Sequence, residues 1–138
     1  MIVVDTGPIV TAMNDRDQHH ASCADLFRKG SGPFFVPAPV LTEVCYLLET
    51  RRGPQVEAAF LTSLAKRELE LVNLVAADLK RMAHLVTTYR SLPLGGVDAS
   101  VIAVAERLGV TRVATIDRKH FSVVRPLHTE SFALVPEA

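Results

Sequence analysis

Four acidic residues occupy places where this chain should have little use for charge. Asp5 closes the apolar run Met1-Ile-Val-Val-Asp5, and Asp117 closes a second one, Val113-Ala-Thr-Ile-Asp117. Buried parallel strands read as unbroken apolar runs, and open α/β sheets bind ligands beyond the carboxyl ends of their strands. Glu43, counted at about 100° per residue, falls beside the stripe of Val40, Val44 and Leu47. Asp98 falls within the arc of Val101, Ile102, Ala105 and Leu108. If these side chains converge, the matching chemistry is metal-assisted phosphodiester hydrolysis. Hard cations such as Mg²⁺ or Mn²⁺ take oxygen ligands, keep some waters and share substrate phosphate oxygens. Such an ion polarises the phosphoryl group and lowers the pKa of a bound water. Acids crowded together without a cation repel one another, and a cation relieves that repulsion.

Each acid also has an ordinary structural explanation. Asp5 or Thr6 would serve as a helix cap, as would Asp98 at a helix start. Glu43 would snorkel to solvent or pair with Arg51 or Arg52. Asp117 would bond its own turn. Four separate coincidences are then needed, against one shared site.

The elements that must position these residues alternate between strand and helix. Apolar runs predict strands at 2–4, 34–36, 69–72, 113–116 and 132–135. Gly7-Pro8 opens a short first helix, and helical spacing of Ala21, Ala24, Leu26 and Phe27 predicts a second over 17–29. Pro37 and Pro39 lead into a helix bearing Glu43, and Gly53-Pro54 separates it from the next. Further helices are expected at 76–89 and 98–108, the last closed by Gly109 as its C-terminal cap. This order predicts an α/β fold, a three-layer α/β/α sandwich around a mainly parallel sheet of about five strands. The length of 138 residues suits one domain, 1–138.

Composition narrows the function classes. Apolar residues make up 49% and charged residues 22%, as in ordinary globular proteins. No apolar stretch approaches the roughly 20 residues needed to span a bilayer, and the N-terminus carries no basic n-region, so a cytoplasmic protein without membrane contact is expected. Cys23 and Cys45, without CxxC spacing, read as reduced core residues. Fifteen basic residues balance fifteen acidic ones, so any nucleic-acid contact must be local. Arg118-Lys119-His120, directly after Asp117, reads either as a phosphate-binding segment or as a solvated loop. Arg51-Arg52 and Lys66-Arg67 read as exposed faces further from the acids, and residues 15–20 as a solvated helix start. Ser100 lacks partners for a hydrolase triad, and no GxxxxGK[ST] or GxGxxG occurs. A phosphoacceptor receiver domain would carry paired acids after its first strand, whereas Thr6-Gly7 follows Asp5.

Asp5-Thr6 after the first strand, Val40-Leu-Thr-Glu-Val44, Leu94-Gly-Gly-Val-Asp-Ala-Ser-Val-Ile-Ala103 and Val113-Ala-Thr-Ile-Asp-Arg118 occur in that order across nearly the whole chain. In this ordered set the sequence resembles the PIN-domain nucleases, and within them the VapC-type toxins of bacterial toxin–antitoxin pairs. The resemblance implies a PIN-type sheet and a Mg²⁺- or Mn²⁺-dependent endoribonuclease. Asp5, Glu43, Asp98 and Asp117 would be the acidic ligands, with Thr115 as the supporting hydroxyl; Arg118 and Lys119 are the candidates for RNA contact. It also implies a homodimer and a cognate antitoxin whose tail blocks the acidic pocket. Some relatives carry another acid just before the position of Asp98; residues 94–97 offer none, so the resemblance implies a complete first ion site and leaves one ion or two open. The competing expectation is a non-catalytic PIN-like domain that binds RNA or protein.

Overall fold

A computed structural model describes residues 1–137. Among these the chain forms five strands and seven helices in the order β1 Ile2–Val4, α1 Thr6–Ala12, α2 His20–Lys29, β2 Phe34–Pro37, α3 Ala38–Arg51, α4 Pro54–Ala65, β3 Glu70–Val72, α5 Ala76–Thr88, α6 Gly96–Leu108, β4 Arg112–Ala114, α7 Arg118–Val123 and β5 Ala133–Val135. All neighbouring strands pair in parallel, in the order β3-β2-β1-β4-β5, within a three-layer α/β/α arrangement. β1 is central, and Ile2, Val3 and Val4 are all fully buried. Burial on both faces is why this strand lacks polar alternation.

The strand order reverses beside β1. From β1 the chain steps one way to β2 and β3 and later returns to place β4 on the other side. Open α/β sheets carry their ligand crevice at such a switch point, beyond the carboxyl ends of the two strands. Here those ends are Asp5 and the segment 115–117. The register pairs Val3 with Val113 and Val4 with Ala114, so both strands stop at the same level. The ladder continues one residue further: Asp5 N–H donates to Ala114 O at 2.9 Å and Thr115 N–H to Val135 O at 2.9 Å.

α6 packs against α5 and α3 and touches β1 and β2. Seven consecutive residues, Ala99 to Ala105, are buried, so the helix is apolar nearly all round. Gly109 ends it at φ 69°, a left-handed position that costs glycine little. Its polar end is tied to α5. Arg107 Nε donates to Asp78 Oδ1 at 3.0 Å, and Arg81 grips Glu106 through Nε and Nη2 at 2.8 and 3.0 Å. Asp78 also accepts the Val75 N–H at 3.0 Å, closing the first turn of α5. Losing one partner of such a buried pair strands the other charge, so these contacts resist sliding of α6 along α5. That fixes the height at which Asp98 sits.

Several boundaries differ from the sequence expectation. α1 begins at Thr6, ahead of Gly7-Pro8, because the first helical amides have no intrahelical partner and Pro8 forfeits nothing there. α2 begins at His20, not at residue 17. Asp17 Oδ1 instead accepts the His19 N–H at 2.8 Å, which holds residues 17–19 in a turn. α6 begins at Gly96, so Asp98 lies inside its first turn and does not open the helix. α7 has no counterpart among the expected elements; Phe121 is its buried residue, too little for a readable periodicity. Cys23 and Cys45 are both free thiols. No helix among the described residues is long and apolar enough to cross a membrane.

Candidate active site

Asp5 is 7% exposed, at the carboxyl end of the central strand. It occupies the N-cap position of α1, yet its side chain makes no capping hydrogen bond. The carboxylate instead faces Thr115, whose hydroxyl donates to Asp5 Oδ2 at 3.0 Å. The same hydroxyl oxygen accepts the Asp117 N–H at 3.0 Å. Thr115, itself buried, thereby couples the ends of β1 and β4 through one oxygen.

Burial pushes the Asp5 carboxyl from its ordinary 3.8 up to about 6. The Thr6 amide, which faces the carboxylate without meeting hydrogen-bond geometry, and the Thr115 hydroxyl pull it back; the charges of Asp98 and Glu43 raise it further. Asp98, from α6, also lies above its ordinary value, first because it is partly buried. His120 and the Gly95 amide lower it, and the Asp117 charge raises it. The four acids form one electrostatic group: Asp98 and Glu43 act on Asp5, and Asp117 acts on Asp98. Glu43 is half-buried on α3 and, among the described residues, makes no ion pair with Arg51 or Arg52. Asp117 heads α7 without a side-chain capping bond, and its carboxylate lies against the His120 ring instead.

His120 is a site residue that the sequence pattern hides. By sequence it groups with Arg118 and Lys119 as a phosphate-binding or solvated segment, but α7 turns it inward. His120 Nδ1 stands 2.9 Å from Asp98 Oδ2 and 3.2 Å from Asp117 Oδ2. The signal available in sequence is its spacing, three residues after Asp117, which shares a face once the segment is helical. Thr6 Oγ1, beside Asp5, is a second overlooked atom, buried and without a hydrogen-bond partner. Of the two RNA candidates, Lys119 is exposed, whereas Arg118 Nη1 donates to Pro136 O at 3.1 Å. Arg51 and Arg52, far from Asp117 along the chain, line a hollow of about 180 Å³ together with Asn14 and Ile116, the residue between Thr115 and Asp117.

The arrangement can concentrate negative potential at the sheet's carboxyl edge and hold it there by packing. Among the described residues no three His, Cys, Asp or Glu side chains already close on a single point. The donors are carboxylate oxygens, which suit Mg²⁺, Mn²⁺ or Ca²⁺ and not softer ions.

The PIN-domain family model matches residues 2–125. The chain belongs to the PIN-domain family. This PIN domain is 30% identical over 135 residues to Ribonuclease VapC26 of Mycobacterium tuberculosis, covering 98% of this chain and 100% of that one. Its fold is similar to that of Mycobacterium tuberculosis VapC20, described as a sarcin–ricin-loop-cleaving toxin, with TM-score 0.76 and 19% identity over 82% of this chain and 87% of that one. It is also similar to VapBC2 from Rickettsia felis, crystallised with a DNA fragment of its promoter. There the TM-score is 0.68 and the identity 20%, over 97% of each chain. In this PIN domain Asp5, Glu43, Asp98 and Asp117 come from the β1–α1 junction, α3, α6 and the β4–α7 turn.

Proposed function

We propose that this PIN domain is a metal-dependent endoribonuclease toxin. The observation that carries the reading is the Asp5 carboxylate buried at the switch point, held by the Thr115 hydroxyl and close enough to Asp98 and Glu43 to feel their charge. A buried acid facing other acids is relieved by a cation. A relative that aligns with 98% of the chain is a ribonuclease, which gives that cation its use.

Asp5, Glu43, Asp98 and Asp117 would hold Mg²⁺ or Mn²⁺. An ion of this kind keeps several waters and needs only one or two direct carboxylates, so donors spread over four elements suit it. When bound, it supplies charge stabilisation at the phosphoryl group and a water of lowered pKa. Thr115 orients Asp5 by donating to Oδ2 and fixes the Asp117 backbone by accepting its N–H. The buried Asp5 side keeps bulk water from one flank, which strengthens every charge interaction inside. Lys119 and the unengaged N–H groups of Arg118 would meet RNA phosphates beside the acids. Arg51 and Arg52 would supply a second cationic lip across Ile116. A protein antitoxin and a homodimeric toxin are proposed on the same family ground. A protein of similar fold from Klebsiella pneumoniae was solved as a toxin–antitoxin complex, which supports the antitoxin.

Partner-free protein should cleave RNA with Mg²⁺ or Mn²⁺ and lose that activity in EDTA, with Asp98→Asn inactive in both. Full cleavage in EDTA would contradict the reading, and silence with every divalent ion over a broad RNA panel would favour the non-catalytic interaction domain. RNA binding, measured on Asp98→Asn without metal, should become less salt-dependent when Lys119→Ala is added. The slope of log affinity against log salt should fall by about 0.7 if Lys119 neutralises one phosphate of a single strand. An unchanged slope removes Lys119 from the interface.

A further inference from the structure

We propose that His120 is a positioning residue whose Nδ1 holds Asp98 by a hydrogen bond and keeps Asp117 beside it by close electrostatic contact. The role rests on the ribonuclease reading above, and it deepens that reading by adding a residue that no acid-only ligand set includes.

The geometry admits one hydrogen-bonding pattern. Nδ1 lies 2.9 Å from Asp98 Oδ2 and 3.2 Å from Asp117 Oδ2. An ionised carboxylate only accepts, so Nδ1 carries the proton and donates it to Asp98 Oδ2, while Asp117 Oδ2 lies 3.2 Å from the same nitrogen as an electrostatic contact off the line of that bond. The neutral Nδ1–H tautomer and the imidazolium both have this N–H, so the clamp works in either charge state. It joins residues from different elements, one in the first turn of α6 and one at the head of α7. It also engages the Oδ2 atom of each, leaving both Oδ1 atoms available to an ion. Carboxylates that bind metals are commonly held in this way by outer hydrogen bonds, which fix their direction and counter mutual repulsion.

His120 is itself held. It is 18% exposed at its side chain, and the next residue, Phe121, is fully buried and pins α7 to the core. The Val124 N–H closes the helix onto His120 O at 3.3 Å. The imidazole is therefore presented by packed structure on both sides, which distinguishes it from the exposed Lys119 one residue earlier.

The test is a Mn²⁺ titration followed by the electron paramagnetic resonance signal of the free ion, on wild type, His120→Ala, His120→Asn and His120→Gln. Circular dichroism and thermal melting verify that each variant is folded. His120→Ala should bind Mn²⁺ about 10- to 100-fold more weakly, the usual loss on removing an outer partner of a metal ligand. His120→Asn carries an amide N–H near the Nδ1 position and should recover most of that affinity. His120→Gln, whose amide lies near Nε2, should not. In RNA cleavage His120→Ala should lower kcat while leaving KM for RNA within about twofold, because the residue acts on the ligands and not on the strand. If His120→Ala does not fold, the contrast between Asn and Gln decides alone. Equal Mn²⁺ affinity in wild type and His120→Ala overturns the role while leaving the ribonuclease reading intact. Equal weakness of Asn and Gln overturns it too, reducing His120 to packing. A wild type that binds no Mn²⁺ and cuts no RNA overturns the ion site and this role together.

Discussion

In EDTA at pH 7.5, Asp5→Asn should be more stable than the wild type by about 3 kcal/mol, although it removes a native charge. The sign follows from the direction of the shift. An unfolded Asp5 ionises near 3.8 and the folded one near 6. Between these values the folded state holds the extra proton, so wild-type stability falls as pH rises through this window and then stays level. Asparagine has the same shape, still accepts the Thr115 hydroxyl, and has nothing to ionise. The advantage of the variant should therefore shrink toward zero near pH 4. Urea denaturation at pH 4 and pH 7.5 measures both ends. A variant less stable than wild type at pH 7.5 would show that Asp5 is not electrostatically strained. The expected outcome is a stability–function trade-off: the residue most costly to the fold is the one proposed to bind the cation.

Asp98→Asn should reduce RNA cleavage about 10³-fold, on the order of 4 kcal/mol of transition-state stabilisation. Asparagine keeps the size of the side chain, and its carbonyl oxygen still accepts the His120 N–H. What disappears is charge, in the first turn of a helix locked in height by Arg107–Asp78 and Arg81–Glu106. The melting temperature should change little or rise, since Asp98 lies above its ordinary pKa and adds to the repulsion on Asp5. Cleavage within tenfold of wild type would remove Asp98 from the catalytic set.

The acids are legible because they violate local rules. Asp5 and Asp117 end runs too apolar to be anything but buried parallel strands, and Asp98 shares the core arc of the most buried helix. A sequence holds no distances, however, and an ordinary structural role (a cap, a turn bond or a snorkelling side chain) is an adequate explanation for each acid taken alone. The structure separates the two explanations at Asp5 and Asp117, which hold cap positions without using their side chains to cap. His120 is illegible for a different reason. α7 spans six residues and buries Phe121 alone, so nothing in the pattern says that the segment is helical. Without the helix, three consecutive basic residues read as a phosphate-binding segment or a solvated loop, and neither reading turns His120 toward the acids. Arg51 and Arg52 read as remote because their distance along the chain from Asp117 hides the hollow they share with Ile116. The same limit touches α2, where a side-chain bond to Asp17 overrides helical spacing.

The central claim is that Asp5 belongs to one carboxylate site for a divalent cation. Isothermal titration of Mn²⁺ into metal-free wild type and Asp5→Asn at pH 7.5 tests it most directly. Saturable binding by the wild type and none detectable in the variant is the predicted result. Identical isotherms for the two proteins would contradict it.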